Sequence, residues 1–192
     1  RCFPIDLSRH ANMGFRDDID GDRKGGWFDQ GVNDLRNMVT GRQTLAGVPF
    51  TVLEPGKNGG RAAVILYGKP RAYFPDKVEG IEVGRKATRL YFLHTAGWEA
   101  SGAVFSYLVR YEDGSRLEIP VVYGSEVAGW WKPAEIPNGK IAFESANAMT
   151  KSVGLYCQRW QNPRPQLPIK SIDILSAKTE AVPAVVAITG EE

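Results

Sequence analysis

The clearest alternation of hydrophobic and polar positions lies in the middle of the chain. Every second residue from Phe105 to Tyr111 is large and apolar, and a period of two is typical of a strand whose two faces differ. Asp113-Gly114 follows, and Asp-Gly between apolar runs supplies the positive φ of a tight hairpin turn. The alternation resumes from Leu117 to Ile119. Because a sheet with one apolar face needs a second layer over it, this hairpin predicts a two-layer β-protein.

Short apolar runs of strand length recur along the chain, with glycine and proline between them. The runs cover residues 2–7, 48–53, 62–67, 80–83, 88–94, 140–144, 153–160, 169–177 and 184–189. With 21 glycines and 12 prolines available for turns, they predict an all-β fold of about ten strands and almost no helix. We expect one domain over residues 1–192, built as a two-sheet antiparallel β-sandwich. Pro4 in the first run predicts an edge strand.

Residues 8–47 interrupt this pattern with a long irregular segment rich in Asp and Gly. A loop of this length in a compact domain is normally functional or held by specific contacts. Asp18, Asp20 and Asp22 alternate within it, and carboxylates so spaced can supply oxygen ligands to calcium. The EF-hand pattern is absent, so a calcium site here would be structural and would tie down a segment with little core of its own. The alternative is a solvated polar loop whose Asp and Gly form turns.

The tryptophans provide the second candidate chemistry, because all five lie in or next to predicted loops. An exposed indole can stack on the apolar C–H face of a sugar ring while neighbouring polar groups bind its hydroxyls. Trp98 and Trp130 have small or polar neighbours, so we expect these two to be exposed, whereas Trp131 and Trp160 are expected to pack. The candidates for binding hydroxyls are His94, Glu99 and Arg159. The alternative is that each Trp closes an end of the core, since large aromatics are mostly buried.

Two cysteines, Cys2 and Cys157, leave two interpretations open. An even count permits a disulfide if the first strand lies beside the strand that carries Cys157. A buried free thiol at Cys157, which sits in an apolar run, is the other.

Composition and charge exclude more than they identify. With 24 Lys and Arg against 22 Asp and Glu the formal charge is +2, so we expect neither a nucleic acid nor a membrane as partner. The chain has two histidines and contains no nucleophile elbow, zinc-protease motif or glycine-rich phosphate loop. We therefore predict that it is not an enzyme. A pair of acids distant in sequence could still converge, which keeps a stand-alone glycoside hydrolase or lyase as an alternative.

Several phrases of the sequence resemble those of galactose-binding-like, jelly-roll modules attached to bacterial glycoside hydrolases and related polysaccharide-degrading enzymes. The phrases are residues 26–31, 33–36, 47–50, 93–98, 107–114, 119–120, 130–131 and 160–172. The resemblance implies a jelly-roll sandwich, extracellular or periplasmic in a bacterium, that is non-catalytic and binds carbohydrate. It also implies that some such modules hold a structural calcium ion. A spacer domain that only braces a neighbouring catalytic domain is the alternative within the same group.

Overall fold

The computed structural model describes residues 1–192 and contains twelve strands and two single-turn 3-10 helices. The strands are β1 (Cys2–Ile5), β2 (Gly41–Leu45), β3 (Val48–Val52), β4 (Val64–Ile65), β5 (Lys77–Arg85), β6 (Arg89–Gly97), β7 (Ala103–Tyr111), β8 (Arg116–Val122), β9 (Gly139–Ser145), β10 (Val153–Gln161), β11 (Ile169–Ser176) and β12 (Val182–Glu191). The helical turns cover Pro55–Lys57 and Lys69–Arg71, and neither is long and apolar enough to cross a membrane. The all-β prediction is confirmed.

The strands form two main antiparallel sheets, as the β-sandwich prediction requires. The larger has the order β1-β12-β6-β10-β9, with the short β4 also paired to β12, and the smaller has the order β5-β11-β7-β8. β1 lies at a sheet edge, and the predicted hairpin joins β7 to β8 through Gly114, whose φ is +84°. The jelly-roll connectivity stays a prediction.

The first hydrophobic core fills the space between the two sheets. The alternating apolar residues of β7 enter it, and Tyr107 stacks on Phe92 of β6 with ring centroids 3.8 Å apart. Ile172 of β11 and Ile188 of β12 belong to the same core. The apolar residues that recur with a period of two in β7 therefore form the face of the strand that packs into the first core, as the sequence indicates.

A second hydrophobic core covers the other face of the larger sheet, and the irregular segment builds most of its outer layer. Trp27 and Phe28 are fully buried in this core, which Leu93 of β6 enters from the sheet. Asn12 anchors the segment because its side-chain amide exchanges two hydrogen bonds of 2.8 Å with the backbone of Ile65. The central strands of the larger sheet are thus buried on both faces, so their sequences are nearly continuous in apolar residues.

The irregular segment is shorter than its predicted range of residues 8–47. β2 begins at Gly41 and pairs with β3 through a two-residue turn at Ala46-Gly47, where φ is +51° and +79°. Positive φ at both turn residues is the requirement of a type I′ hairpin turn. β2 is half exposed and carries Arg, Gln and Thr, so its apolar signal is weak.

The cysteines do not form a bridge. Cys2 is exposed, while Cys157 is a buried free thiol in the second core. Burial raises the pKa of Cys157 to about 12, which keeps the thiol protonated and unreactive at neutral pH.

Candidate functional site

An open groove of about 500 Å³, the aromatic groove, lies at one end of the larger sheet. It is formed by the residues that follow β6, by the segment between β8 and β9, by two polar residues of the irregular segment and by one tyrosine of β10. These residues are Gln30, Asn33, Trp98, Glu99, Tyr123, Ala128, Gly129, Trp130, Trp131, Lys132, Ala134 and Tyr156. The structure therefore brings together Trp98, Glu99 and Trp130 from the predicted set.

Trp131 is the exposed indole of the groove, and Trp130 is not, which reverses the expectation. Trp131 is 41% exposed, whereas Trp130 is 4% exposed and contacts the rings of Trp27 and Phe28 at centroid distances of 5.7 Å. Successive side chains of extended backbone point to opposite sides, so only one member of the pair can enter the core. The indole N–H of Trp131 donates to the Asn33 side-chain oxygen at 2.9 Å, which holds the exposed ring in one orientation.

Trp98 is half-buried on the other side of the groove. Its φ of +59° is uncommon for a residue other than glycine, and such a conformation persists when surrounding contacts hold it. The Arg71 guanidinium lies 5.2 Å from the centre of the Trp98 ring, and Phe28 meets the same ring edge-on. Glu99, the next residue, is exposed and supplies a carboxylate at the rim.

The structure removes His94 from the ligand-binding candidates, because its side chain is fully buried. Its Nε2–H donates to the Glu126 backbone oxygen at 3.0 Å, since a carbonyl can only accept. Nδ1 then accepts the Tyr107 hydroxyl at 2.8 Å. Burial lowers the pKa of His94 to about 4, and the hydrogen bond to Glu126 acts in the opposite direction. His94 is a neutral structural histidine at pH 7.

Arg159 is exposed but lies away from the aromatic groove. Its side chain lines a different depression with Trp160, between β10 and the segment that precedes β9. The prediction that Arg159 binds sugar hydroxyls beside Trp98 is therefore corrected, because the two residues line different depressions.

The acidic residues of the irregular segment form a compact cluster with a different membership from the predicted one. Carboxylate oxygens of Asp17, Asp22 and Asp29 lie within 4.8 Å of one another, and Asp17 and Asp29 are buried. Asp29 Oδ2 accepts the Tyr73 hydroxyl and the Arg23 backbone N–H, while Oδ1 is buried without a hydrogen-bond partner. Burial raises the pKa of Asp17, and the nearby charge of Asp29 adds to the shift.

Two of the three predicted metal ligands are engaged elsewhere. Asp18 pairs with Arg16 at 3.3 Å, and Asp20 pairs with Arg71 at 2.8 Å, so only Asp22 of the predicted set belongs to the cluster. Oxygen ligands are what calcium binds, and a buried carboxylate oxygen that lacks a donor is suited to a cation. The cluster residues therefore could hold a divalent metal ion.

Arg71 connects the acidic cluster to the aromatic groove. Besides its contact with Trp98 and its ion pair with Asp20, it donates hydrogen bonds of 2.9 Å to the backbone oxygens of Phe28 and Asp29. One side chain thus holds both the loop that carries the cluster and the wall of the groove.

Comparison with protein-family models, curated proteins and solved structures gives no significant match.

Proposed function

We propose that this chain is a non-catalytic carbohydrate-binding module, extracellular or periplasmic, that serves a larger polysaccharide-degrading enzyme. The observation that carries the proposal is the aromatic groove, in which Trp131 and Trp98 offer indole surface beside hydrogen-bonding side chains. Sugar rings present apolar C–H groups to such surfaces and hydroxyls to polar groups. The resemblance of the sequence phrases to accessory modules points the same way.

The groove is preorganised for a ligand that is flat on one side and polar at its edge. Trp131 is held by Asn33, and Trp98 is held by Arg71 and Phe28, so little side-chain entropy is lost on binding. Polar groups of Gln30, Glu99 and Lys132 line the same groove. A spacer that only packs against a neighbouring domain would need an apolar face without such groups, so the polar lining favours glycan binding.

The groove holds one carboxylate, which favours binding over hydrolysis. Glu99 is the single carboxylate that lines it, whereas glycoside hydrolysis ordinarily uses two carboxyl groups flanking the bond. Because the groove is open to solvent, we expect affinities for short glycans in the micromolar to millimolar range, roughly −8 to −4 kcal/mol.

Removing the exposed indole of Trp131 and the half-buried indole of Trp98 should weaken glycan binding while leaving the fold intact. We expect Trp98→Ala/Trp131→Ala to weaken binding of neutral polysaccharides at least about thirtyfold, the loss typical of two central aromatic contacts. Affinity electrophoresis through gels that contain each polysaccharide measures this loss. Arg159→Ala is the matched control, because it removes a predicted ligand residue outside the groove. Full retention of binding by the double variant would rule out the groove as the site.

We propose further that Asp17, Asp22 and Asp29 hold a structural calcium ion. Two buried carboxylates next to a third create negative charge that a divalent cation would neutralise, and the unpartnered Asp29 Oδ1 offers a ligand. The ion would hold together a segment whose irregular backbone forms few regular hydrogen bonds. Through Arg71, its presence would also steady the wall of the aromatic groove.

Calcium should raise the melting temperature of the wild-type protein by roughly 5 °C or more at about a hundredfold excess over its dissociation constant, because ligand binding to the folded state alone adds about 2.7 kcal/mol. Differential scanning fluorimetry with calcium and with chelator measures the shift. We expect Asp29→Asn to lose most of the shift and Asp18→Asn to keep it, since Asp18 lies outside the cluster. An equal shift in both variants, or none in the wild type, would refute the site.

A further inference from the structure

A second groove, which we call the basic groove, lies on the irregular segment and has an unusual concentration of positive charge. It measures about 560 Å³, within the range of ligand sites. Five cationic side chains and one carboxylate line it, whereas the whole chain has a formal charge of only +2. The charged lining residues are Arg16, Asp18, Arg23, Lys24, Arg36 and Arg61.

Lys24 and Arg61 are free to bind an anion, whereas Arg16 and Arg36 are paired with Asp18 and the Arg23 guanidinium lies over the Tyr73 ring. Arg23, Lys24 and Arg61 form no ion pair with any carboxylate of the chain. Arg36 is held rigidly, because its Nε and Nη2 donate to the buried carboxylate of Asp34 at 2.8–3.1 Å. Its Nη1 has no hydrogen-bond partner in the protein. A guanidinium fixed in this way is preorganised to receive an anionic group.

The rest of the groove suits a sugar that carries the anion. Three buried apolar side chains line its floor, namely Met13, Phe15 and Met38, and Thr40 adds a hydroxyl at its side. Apolar C–H surface beside cationic side chains is the complement of a sugar ring with a carboxylate or a sulfate ester. A nucleic acid needs a longer basic face along its phosphates, and the nearly balanced charge of the chain does not supply one.

The basic groove and the aromatic groove are lined by the same short stretch of chain. Asn33 lines the aromatic groove, and Arg36 lines the basic groove. Three residues of backbone span at most about 11 Å, roughly the length of two sugar units. The Cα atoms of Arg36 and of Asn33, whose side chain holds the exposed indole of Trp131, are therefore close along the backbone.

We propose that the basic groove is a second glycan subsite, specific for an anionic segment of polysaccharide that carries uronate or sulfate groups. The inference rests on the proposed carbohydrate-binding function and adds the class of glycan. Lys24 and Arg61 contact the anion directly, and Arg36 orients it. Neutral glycans bind at the aromatic groove alone.

The full chain is tested by affinity electrophoresis through gels containing dextran, dextran sulfate, polygalacturonate or duplex DNA. We expect the wild type to be retarded by dextran sulfate or polygalacturonate more than by dextran. Lys24→Gln/Arg61→Gln should weaken this retardation at least about tenfold, because it removes charge-assisted hydrogen bonds. The matched control is Arg116→Gln/Lys170→Gln, which removes the same charge from exposed positions outside the groove. Retardation of the wild type should fall as salt rises.

Each outcome of the electrophoresis experiment either supports or overturns the anionic subsite. Selective loss in Lys24→Gln/Arg61→Gln supports the subsite, and the preferred polymer distinguishes sulfate from uronate. Equal loss in the control pair, equal retardation by duplex DNA, or no retardation by either anionic polysaccharide overturns it. Trp98 and Trp131 are intact in these variants, so the two proposals fail separately. If the neutral-glycan site is wrong, the wild-type protein binds no neutral polysaccharide, or the Trp98→Ala/Trp131→Ala variant binds it as well as the wild type does.

Discussion

Trp27→Ala is expected to lower the free energy of unfolding by about 3–5 kcal/mol, the cost of truncating a fully buried large aromatic. Trp27 is completely enclosed in the second core, where its ring meets Phe15, Phe28 and Trp130 at centroid distances of 6.3, 4.8 and 5.7 Å. The residual cavity would lie under Trp130, so the floor of the aromatic groove would loosen together with the irregular segment. Urea unfolding followed by far-ultraviolet circular dichroism measures the change.

The matched control is Trp131→Ala, which truncates an indole that is 41% exposed. We expect it to cost less than about 1 kcal/mol, as surface substitutions do. Trp27→Phe should cost less than Trp27→Ala, because phenylalanine refills part of the cavity and removes an indole N–H that is buried without a partner. A loss below about 1 kcal/mol for Trp27→Ala would mean that residues 8–40 do not form a core of their own.

Acid should destabilise the protein by about 3 kcal/mol between pH 7 and pH 4 through His94 alone. The pKa of His94 falls from its ordinary value of 6.5 to about 4 in the folded protein, because burial penalises the imidazolium. At pH values between the two pKa values, His94 is protonated in the unfolded chain but stays neutral in the folded protein. Stability is therefore unaffected above the ordinary value, falls as pH drops through the window between the two pKa values, and levels off below the folded value.

His94→Gln isolates this effect. Glutamine can donate to the Glu126 carbonyl and accept from the Tyr107 hydroxyl, as the neutral histidine does, yet it does not titrate. We expect the variant to be less stable at pH 7 and to lose about 3 kcal/mol less than the wild type on acidification. The contribution of Asp17, whose raised pKa favours the folded state at low pH, is common to both proteins and cancels in the comparison. Parallel stability profiles would show that His94 is solvated or charged in the folded protein.

The sequence predicts the sandwich because its signals there are local. The period of two in β7 and the Asp113-Gly114 turn depend on neighbours in the chain, and both appear as expected. The second core gives no such signal, since residues 8–40 have no regular period. Their placement depends on contacts between distant residues, such as Asn12 with the Ile65 backbone 53 positions away. Composition alone cannot locate contacts of that kind.

The placement of the functional residues likewise depends on contacts that local sequence patterns do not predict. Exposure of Trp131 rather than Trp130 depends on which of two adjacent side chains faces the sheet, and neighbouring residue types do not determine that parity. Asp29 lies outside the alternating run of Asp18, Asp20 and Asp22, so that run does not predict its place in the acidic cluster. The members of a side-chain cluster in an irregular loop can be identified only from the folded structure of that loop.

The most direct test of carbohydrate binding follows the five indole N–H signals of the protein by nuclear magnetic resonance during titration with neutral cello-, xylo-, manno- and galacto-oligosaccharides. The account predicts that at least one of these glycans shifts the signals of Trp131 and Trp98, while those of Trp27, buried in the second core, and Trp160, in the Arg159 depression, stay in place. Signals that remain unmoved by every glycan, or a response at Trp160 alone, would contradict it.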